Sequence, residues 1–410
     1  MSFPRSFIRS SLRAAIALGL VMLPGMLQAH SAWVENWKKQ EEQLSKHGVA
    51  FQASYMGSFM SNVQGGFRQG TNWQGLLDVS MMADLNTLMG WKGAMFQAEV
   101  LWVQGRSASS MAYIGNINEV SNIQGMVNTV RPFHIWLQQK LLNDKLRLVA
   151  GWMSLDTDFM MSQSANLFVN SAFGPIQTWN MNFSAPVYPV SALGFMGEWQ
   201  VTDRYDLKAG IYDGDTGGEK GNRRVANTRL GTDDGAAMLL EVARTHTIAG
   251  RPGTLKLGGG WDTGLTPVNA TGAMVHGNGH FYAMLDQTLL AGIGKDAPDR
   301  LTTFVRSGRV IHPGRSMVGF TIEGGFTGRG FRSADMWGVA ATYSQLSNSF
   351  VQATRSGGGL TSSAETALEL TYKAQLAPWM WLQPTFQRIY NPQSGTPNAT
   401  VLGMMMTLSF

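Results

Sequence analysis

The sequence predicts an all-β protein, a transmembrane antiparallel β-barrel of about 16 strands with a short N-terminal periplasmic helix. Three observations predict this fold. Apolar and charged residues alternate strictly near the carboxyl end, the last residue is an aromatic Phe410, and the first residues resemble an export signal. No later run of eighteen uninterrupted apolar residues is present, so a membrane-spanning form of this chain has to use strands.

The alternation is clearest in residues 365–376. Glu365, Glu369 and Lys373 fall on one parity, whereas apolar residues such as Leu370 fall on the other. Because successive side chains of a strand point to opposite faces, this segment has one charged wall and one apolar wall. In a soluble sandwich the apolar wall would face a second sheet, but in an outer-membrane barrel it faces lipid and the charged wall faces a watery lumen. About 9 to 11 tilted residues suffice to cross a bilayer as a strand.

The two ends of the chain indicate the same compartment. At the carboxyl end, Leu402, Met404, Leu408 and Phe410 share one parity. An aromatic last residue is typical of bacterial outer-membrane barrels, where it resembles the signal read by the insertion machinery. We therefore expect the lipid bilayer, lipopolysaccharide and that machinery, through Phe410, as partners.

The amino end has the three parts of a signal peptide. Arg5, Arg9 and Arg13 precede the apolar run 14–23, and a plausible cleavage site follows at Ala29. As a membrane anchor the apolar run would be too short. We expect a signal peptide over 1–29, a short periplasmic helix over 30–47, of which 33–47 is the convincing helical stretch, and a barrel over 48–410.

Composition excludes several classes of function. Three of the 32 basic residues lie in the signal, so the mature chain has 29 basic against 27 acidic residues, a net charge of +2, which gives no reason to expect nucleic acid. The chain has no cysteine, and therefore no disulfide framework and no thiolate metal site. We expect no cofactor and no metal. Charged residues are sparse at 14%, and 48 glycines fit a barrel with tight turns.

From Gly48 onward the chain has the pattern of strands and turns. Sixteen segments are predicted as strands: 49–61, 76–85, 94–104, 130–141, 146–154, 193–201, 206–212, 236–245, 254–261, 281–290, 301–306, 318–324, 336–346, 365–376, 380–389 and 399–410. Short turns alternate with long connections, as expected when turns lie on the periplasmic side and loops lie outside. The longest connection, residues 155–192, is the one we expect to fold inward and narrow the pore.

One strand and the loop after it resemble a known family. The run Val130-Arg131-Pro132-Phe133-His134-Ile135-Trp136-Leu137-Gln138-Gln139 is similar to a signature strand of the carbohydrate-selective porins, the OprB-type family. Further similarities extend in order along the mature chain: Asp156, Asp158-Phe159, Ser162, Leu167-Phe168, Asn170, Phe173-Gly174-Pro175, Tyr188-Pro189, Asp213-Gly214-Asp215, Asp286-Gln287, residues 365–372 and Asn391-Pro392. The chain departs from the family where His134 replaces the usual carboxylate, and Pro132 indicates a bulged or unpaired strand.

A sugar-selective pore needs hydrogen-bond donors and acceptors for hydroxyls, together with flat aromatic faces for C–H surfaces. The candidate residues for substrate binding at the constriction are Arg131, His134, Trp136, Asp156, Asp158 and Asn170. Strict alternation would place Arg131 and Trp136 on opposite faces unless the region of Pro132 shifts the register. Asp156 and Asp158 have an alternative role, which is to pin the loop through salt bridges to barrel arginines. No catalytic residue is predicted.

The resemblance implies an outer-membrane channel for passive, selective uptake of monosaccharides or related polyols. The alternative within the channel class is a general diffusion porin, for which a strong ladder of one charge sign is expected. An outer-membrane hydrolase would need an assembled nucleophile and base, but the histidines are scattered and neither G-x-S-x-G nor H-E-x-x-H occurs. An adhesin or inert barrel stays open on sequence alone.

Overall fold

The computed structural model describes residues 40–105, 112–123, 128–216, 235–292 and 300–410. The predicted signal peptide and the first part of the predicted N-terminal helix lie outside these residues. Residues 40–46 are helical and lead directly into the first strand. In the part of the chain that the structure describes, no helix is long and apolar enough to cross a membrane.

Sixteen antiparallel strands form one closed barrel, as the sequence predicts. Each strand pairs with the next along the chain, and the last strand pairs with the first. The strands are β1 Val49–Gln64, β2 Gly70–Asp84, β3 Ala94–Gly105, β4 Thr129–Leu141, β5 Leu146–Met153, β6 Ala192–Thr202, β7 Tyr205–Asp213, β8 Ala236–Ile248, β9 Arg251–Pro267, β10 Met274–Leu290, β11 Leu301–Val310, β12 Val318–Arg329, β13 Met336–Leu346, β14 Ala364–Ala377, β15 Met380–Tyr390 and β16 Ala399–Ser409. Closure satisfies the backbone groups that an open sheet leaves at its edges.

The helices between the strands are short. Those with described bounds are Leu85–Met89, Gln177–Asn180 and Asn348–Ser356, with 3₁₀ turns at Leu155–Thr157, Ala165–Leu167, Ser171–Phe173 and Pro313–Arg315. The connections sort into two sets at opposite ends of the barrel. The start of β1, the end of β16 and the brief β4–β5, β6–β7, β8–β9 and β14–β15 turns share one end, which we call the turn end. The opposite end, which carries the long connections, we call the loop end.

The register gives the barrel two chemically distinct faces. On β14, Glu369 is 1% exposed, whereas its neighbour Leu370 is 45% exposed on the outer wall. On the closing strand Leu402 and Met404 are exposed outward, whereas Met405 is buried inside. Alternation therefore separates a lipid-facing wall from an interior wall around the closed sheet.

Several strands extend beyond their predicted bounds, β9 and β10 the furthest. β9 and β10 run seventeen residues each, because hydrogen bonding between them continues past Trp261 to the pairs Val275↔Thr266 and Met274↔Pro267. Those added residues are largely polar or glycine. Above the apolar band the outer face meets water, so the alternation that marks a lipid-facing strand ends before the strand does.

The hydrophobic core lies inside the barrel, between the wall and connections that fold inward. Phe159, Met160 and Trp179 of the β5–β6 connection pack against the wall residues Met196 and Leu239. A second cluster joins Ile117 of the β3–β4 connection to Val318 and Leu346 on the wall. The inward folding predicted for residues 155–192 is thus present, and part of the β3–β4 connection accompanies it.

Candidate functional site: the narrowed lumen

A belt of ionised side chains alternates in sign around half of the inner wall. Near one level of the wall, the strands from β5 to β12 bring together charges whose sign changes at every step: Arg147, Glu198, Lys208, Glu241, Lys256, Asp286, Arg306 and Glu323. Asp206 on β7 and Asp262 on β9 face inward at other levels. Several members are salt-bridged to the next strand, with Arg147 Nε 2.9 Å from Glu198 and Arg306 Nη2 2.9 Å from Glu323. We call these eight residues the belt. Opposite charges on neighbouring strands stabilise one another, and the belt has no net charge.

The cations of the belt donate hydrogen bonds to the β5–β6 connection, which folds into the barrel. Arg147 forms a salt bridge with Asp158, and the Lys208 Nζ donates to the Asp158 carbonyl at 3.0 Å. The Lys256 Nζ donates to the Met161 carbonyl at 2.7 Å. Arg306 donates to three loop carbonyls, those of Met160, Ala172 and Gly174, at 3.3, 3.1 and 2.8 Å. Buried carbonyls that have no strand or helix partner thereby gain one from the wall.

The anions of the belt accept from the same loop. Glu241 accepts the Met160 N–H at 3.2 Å, and Asp286 accepts the Ser162 hydroxyl at 2.6 Å. The two signs therefore have complementary tasks, because cations bind loop carbonyls and carboxylates bind loop N–H or O–H groups. Irregular backbone is tolerated at membrane depth when protein groups satisfy it in this way.

On the opposite side of the lumen, two glutamates of β14 hold two different connections. Glu365 accepts the Ile117 and Asn118 N–H groups at 2.9 and 3.1 Å. Glu369 accepts the Val169 and Asn170 N–H groups at 2.9 and 2.8 Å. Both carboxylates are fully buried. The expectation that this wall faces open water is wrong for these two positions, because the inner connections cover them.

The two connections also bind one another and complete a ring inside the barrel. The Asn122 N–H donates to the Val169 carbonyl at 2.7 Å, and the Ser171 N–H donates to the Glu119 carbonyl at 2.8 Å. The Tyr188 hydroxyl donates to the Ile123 carbonyl at 3.1 Å. We call residues 116–123 and 155–191 together the collar. It narrows the lumen on both sides rather than from one loop alone.

The strand with Arg131 contains the bulge that its proline indicates. Pairing passes from Val100↔Pro132 to Glu99↔His134, so one extra residue, Phe133, lies between them. This shift places Arg131, His134 and Trp136 on the same inner face. A β-bulge re-aims side chains in this manner.

Arg131 and His134 lie beneath the end of the collar. The Arg131 Nη1 donates to the Pro189 carbonyl at 3.3 Å, and its Nε and Nη2 are buried without a hydrogen-bond partner in the described residues. His134 Nδ1 lies 2.6 Å from Glu99 on the adjacent strand. The imidazole is thus hydrogen-bonded to a carboxylate of the neighbouring strand.

Asp156 approaches this group from the collar. It accepts the Ser154 hydroxyl at 2.6 Å and the Tyr188 N–H at 3.0 Å. Burial raises the pKa of the Asp156 carboxyl, and these two hydrogen bonds act in the lowering direction. The Tyr188 ring lies 6.0 Å from Phe133, edge-on. Arg131, His134, Asp156 and Trp136 are therefore brought to one sector of the lumen.

The other candidate residues lie elsewhere. Asp158 is bound by Arg147 on the wall, which is the loop-pinning alternative considered above. The Asn170 side chain is buried, donates to Gln387 at 2.9 Å and caps the turn at Ala172. Lys373 lies near the turn end with its Nζ 5.9 Å from the Trp381 ring. In the described residues no group of three or more His, Cys, Asp or Glu could hold a metal ion.

The collar residues that stay exposed carry neutral polar side chains. They are Asn122, Thr157, Gln163, Asn166 and Ser184. Sequence reasoning missed them, together with Glu99 and Tyr188. The available signal was the pattern of the connection, in which the small and polar residues 162–166 lie between the apolar runs 159–161 and 167–169.

Comparison with known proteins decides the family. The family profile described as "Carbohydrate-selective porin, OprB family" matches residues 68–410. The chain belongs to this family. Porins are channels of the Gram-negative outer membrane, so this OprB-family chain is an outer-membrane channel and not an enzyme.

Relatives and solved structures agree with this assignment. "Putative porin QuiX" of Acinetobacter baylyi is 23% identical over 462 aligned residues, covering 99% of this chain and all of the relative. "Porin B" of Pseudomonas aeruginosa is 26% identical over 48% of this chain and 46% of the relative. The high-pH structure of Pseudomonas putida OprB superposes with a TM-score of 0.80 at 20% identity, covering 92% of this chain and 97% of that one. The outer membrane channel DcaP of Acinetobacter baumannii superposes with a TM-score of 0.53 at 9% identity, covering 88% of this chain and 97% of that one.

Proposed function

We propose that this OprB-family channel passes neutral monosaccharides or related polyols, with the loop end outside and the turn end toward the periplasm. The observation that carries the proposal is the pairing of the belt charges. Belt residues neutralise one another or bind collar backbone, and the exposed side chains of the collar are amides and hydroxyls. Without a long-range field of one sign, selection has to come from contacts within hydrogen-bond reach.

We propose Trp136 as the aromatic face of the constriction, with His134, Arg131 and Asp156 positioned around it. Trp136 is half-buried on the inner wall and packs against the cluster of Val149 and Met153. A sugar stacks its C–H face on such a ring while its hydroxyls reach polar neighbours. We assign Asp158 and Asn170 to fixing the collar, since their side chains are already bonded to Arg147 and Gln387.

A permeation series tests the substrate class. We expect D-glucose to block ion current saturably in planar bilayers, with weak preference between K⁺ and Cl⁻. Burying about 50 Å² of sugar against the Trp136 ring is worth about 1 kcal/mol, so Trp136→Ala should raise the half-saturating glucose concentration about fivefold. Trp152→Ala is the matched control, because Trp152 lies on the outer face of the next strand, where it pairs with Ile135.

The general diffusion porin makes the opposite prediction. In that case glucose and an amino acid of similar size pass at similar rates, no saturation occurs, and both tryptophan variants behave alike. That result would exclude the hypothesis of a sugar-selective pore, whereas the assignment as a channel would stand.

A further inference from the structure

A polar cavity lies on the turn-end side of the collar. Its volume is about 560 Å³, within the range of small-molecule sites. The wall of β8 to β11 forms one side of it, and collar residues 161–164 form the other. It is separate from the sector of Arg131 and His134, which contributes none of its lining residues.

The lining is dominated by hydroxyl and amide groups. Gln163 and Thr245 are exposed and Thr254 is half-exposed, and in the described residues none of the three side chains forms a hydrogen bond. Ser164 lies between them and the wall, with its hydroxyl 3.2 Å from Thr302. Neutral groups that both donate and accept are the partners that sugar hydroxyls require.

The two wall charges in the cavity are already engaged. Lys256 donates to the Met161 carbonyl and lies 3.9 Å from Glu241, while Asp286 accepts the Ser162 hydroxyl. Arg204 and Arg244 lie at the exposed rim, where water and salt screen their charge. The cavity therefore has no buried, unpaired ion that would call for a charged ligand.

We propose that this cavity is a second binding site for a neutral polyol, placed in series after the constriction on the turn-end side. The inference rests on the proposed function, because it presupposes that polyols pass the collar. Solute that has crossed the collar dwells here before release. A series of weak sites permits conduction, whereas one tight site would hinder it.

The position of the site predicts that block depends on the side of addition. Solute added at the turn end reaches the cavity without crossing the collar, whereas solute from the loop end crosses first and then escapes. We expect D-glucose to block ion current at lower concentration from the turn end. Orientation is fixed by Thr271→Cys at the loop end, which gives the chain its single thiol for one-sided labelling with an impermeant reagent.

Two variants test the assigned groups. Gln163→Leu and Thr254→Val each remove hydrogen-bonding atoms, so each should raise the turn-end half-saturating concentration about three- to tenfold. Gln352→Leu is the matched control, because it makes the same amide-to-alkyl change at an exposed position of the loop-end helix Asn348–Ser356, outside the cavity and the collar. Heat-modifiable mobility and unchanged ion conductance report that each barrel is folded.

The outcomes separate this site from the proposed function. Saturable block that is equal from both sides, or equal in Gln163→Leu and wild type, overturns the second site and leaves the sugar channel standing. Tighter block by gluconate than by glucose overturns its assignment to neutral polyols. Absence of saturable glucose block from either side of the wild-type channel overturns the proposed function itself.

Discussion

At the scale of single residues, Arg306 makes more polar contacts between wall and collar than any other belt cation described above. It is 1% exposed, forms a salt bridge with the fully buried Glu323 and donates to three collar carbonyls. A buried ion pair gains little over an apolar pair of the same volume, but loss of one partner leaves an unpaired charge. Arg306 is thus a test of how much the wall stabilises the collar.

We expect Arg306→Met to lower the free energy of unfolding by about 3–5 kcal/mol, because it leaves the Glu323 carboxylate buried and three carbonyls unpaired. Denaturant unfolding in detergent, followed by tryptophan fluorescence, measures the change. Arg309→Met is the control on the same strand, since Arg309 is exposed on the outer side. Equal losses in both variants would show that the belt contributes nothing specific.

Residue types indicated which chemistry the lumen holds, but they did not indicate which groups are already bonded. Glu369 has the parity of an inner-wall charge in the sequence. Its two collar N–H partners lie two hundred positions away, at Val169 and Asn170. Local pattern carries no information about such contacts, because they depend on how the connection folds back across the barrel. For the same reason Asn170 looked like a solute ligand when its side chain in fact bonds Gln387.

At the scale of elements, strand existence was predictable and strand length was less so. Parity alternation follows from burial against lipid, so it marked all sixteen strands. The alternation did not predict the parts of β9 and β10 that extend beyond the apolar band. It also did not decide which face of β4 carries Trp136. Pro132 was the one local sign of the bulge, since proline lacks the N–H that a regular ladder needs.

The turn between β12 and β13 shows how a short connection is fixed to the next strand pair. Asp335 accepts the Arg332 Nε at 2.9 Å, the Tyr372 hydroxyl at 2.7 Å and the Gln375 N–H at 3.0 Å. The hydrogen bond from Arg332, with those from Tyr372 and Gln375, holds the pKa of the Asp335 carboxyl well below its ordinary value. Three donors to one carboxylate favour its ionised form.

This turn predicts a pH-dependent contribution to stability. A depressed pKa in the folded state stabilises the protein above the pKa of the unfolded chain, about 3.9, and the contribution is lost as pH falls below it. Asp335→Asn should therefore unfold at lower denaturant concentration than wild type at pH 7, with the difference shrinking below about pH 4. Asp144→Asn, the same substitution at an exposed position in the β4–β5 turn, is the matched control.

At the scale of the whole molecule, the fold follows from the two solvents that the wall meets. The residues that face lipid are apolar. The alternate residues, which face inward, are covered largely by the collar rather than by bulk water. Closure was predictable from the even strand number and the alternating terminal strand. The packed interior was not, because its apolar residues lie in connections such as Phe159 to Trp179, whose pattern also fits an external loop.

The lipid-facing wall predicts a dependence on depth along a single strand. Leu370 lies at the middle of β14 and Leu376 next to its turn-end limit, and both are exposed outward at 45% and 50%. An arginine near the bilayer midplane costs about 2–4 kcal/mol, falling to about 0–1 near the interface, where its side chain reaches water. Leu370→Arg should thus destabilise the barrel in lipid vesicles far more than Leu376→Arg, as measured by denaturant unfolding. In detergent micelles, which deform around a charge, the two variants should differ much less. If both arginines cost the same in vesicles, the outer face of β14 does not cross the hydrocarbon at the depth that the barrel register assigns to it.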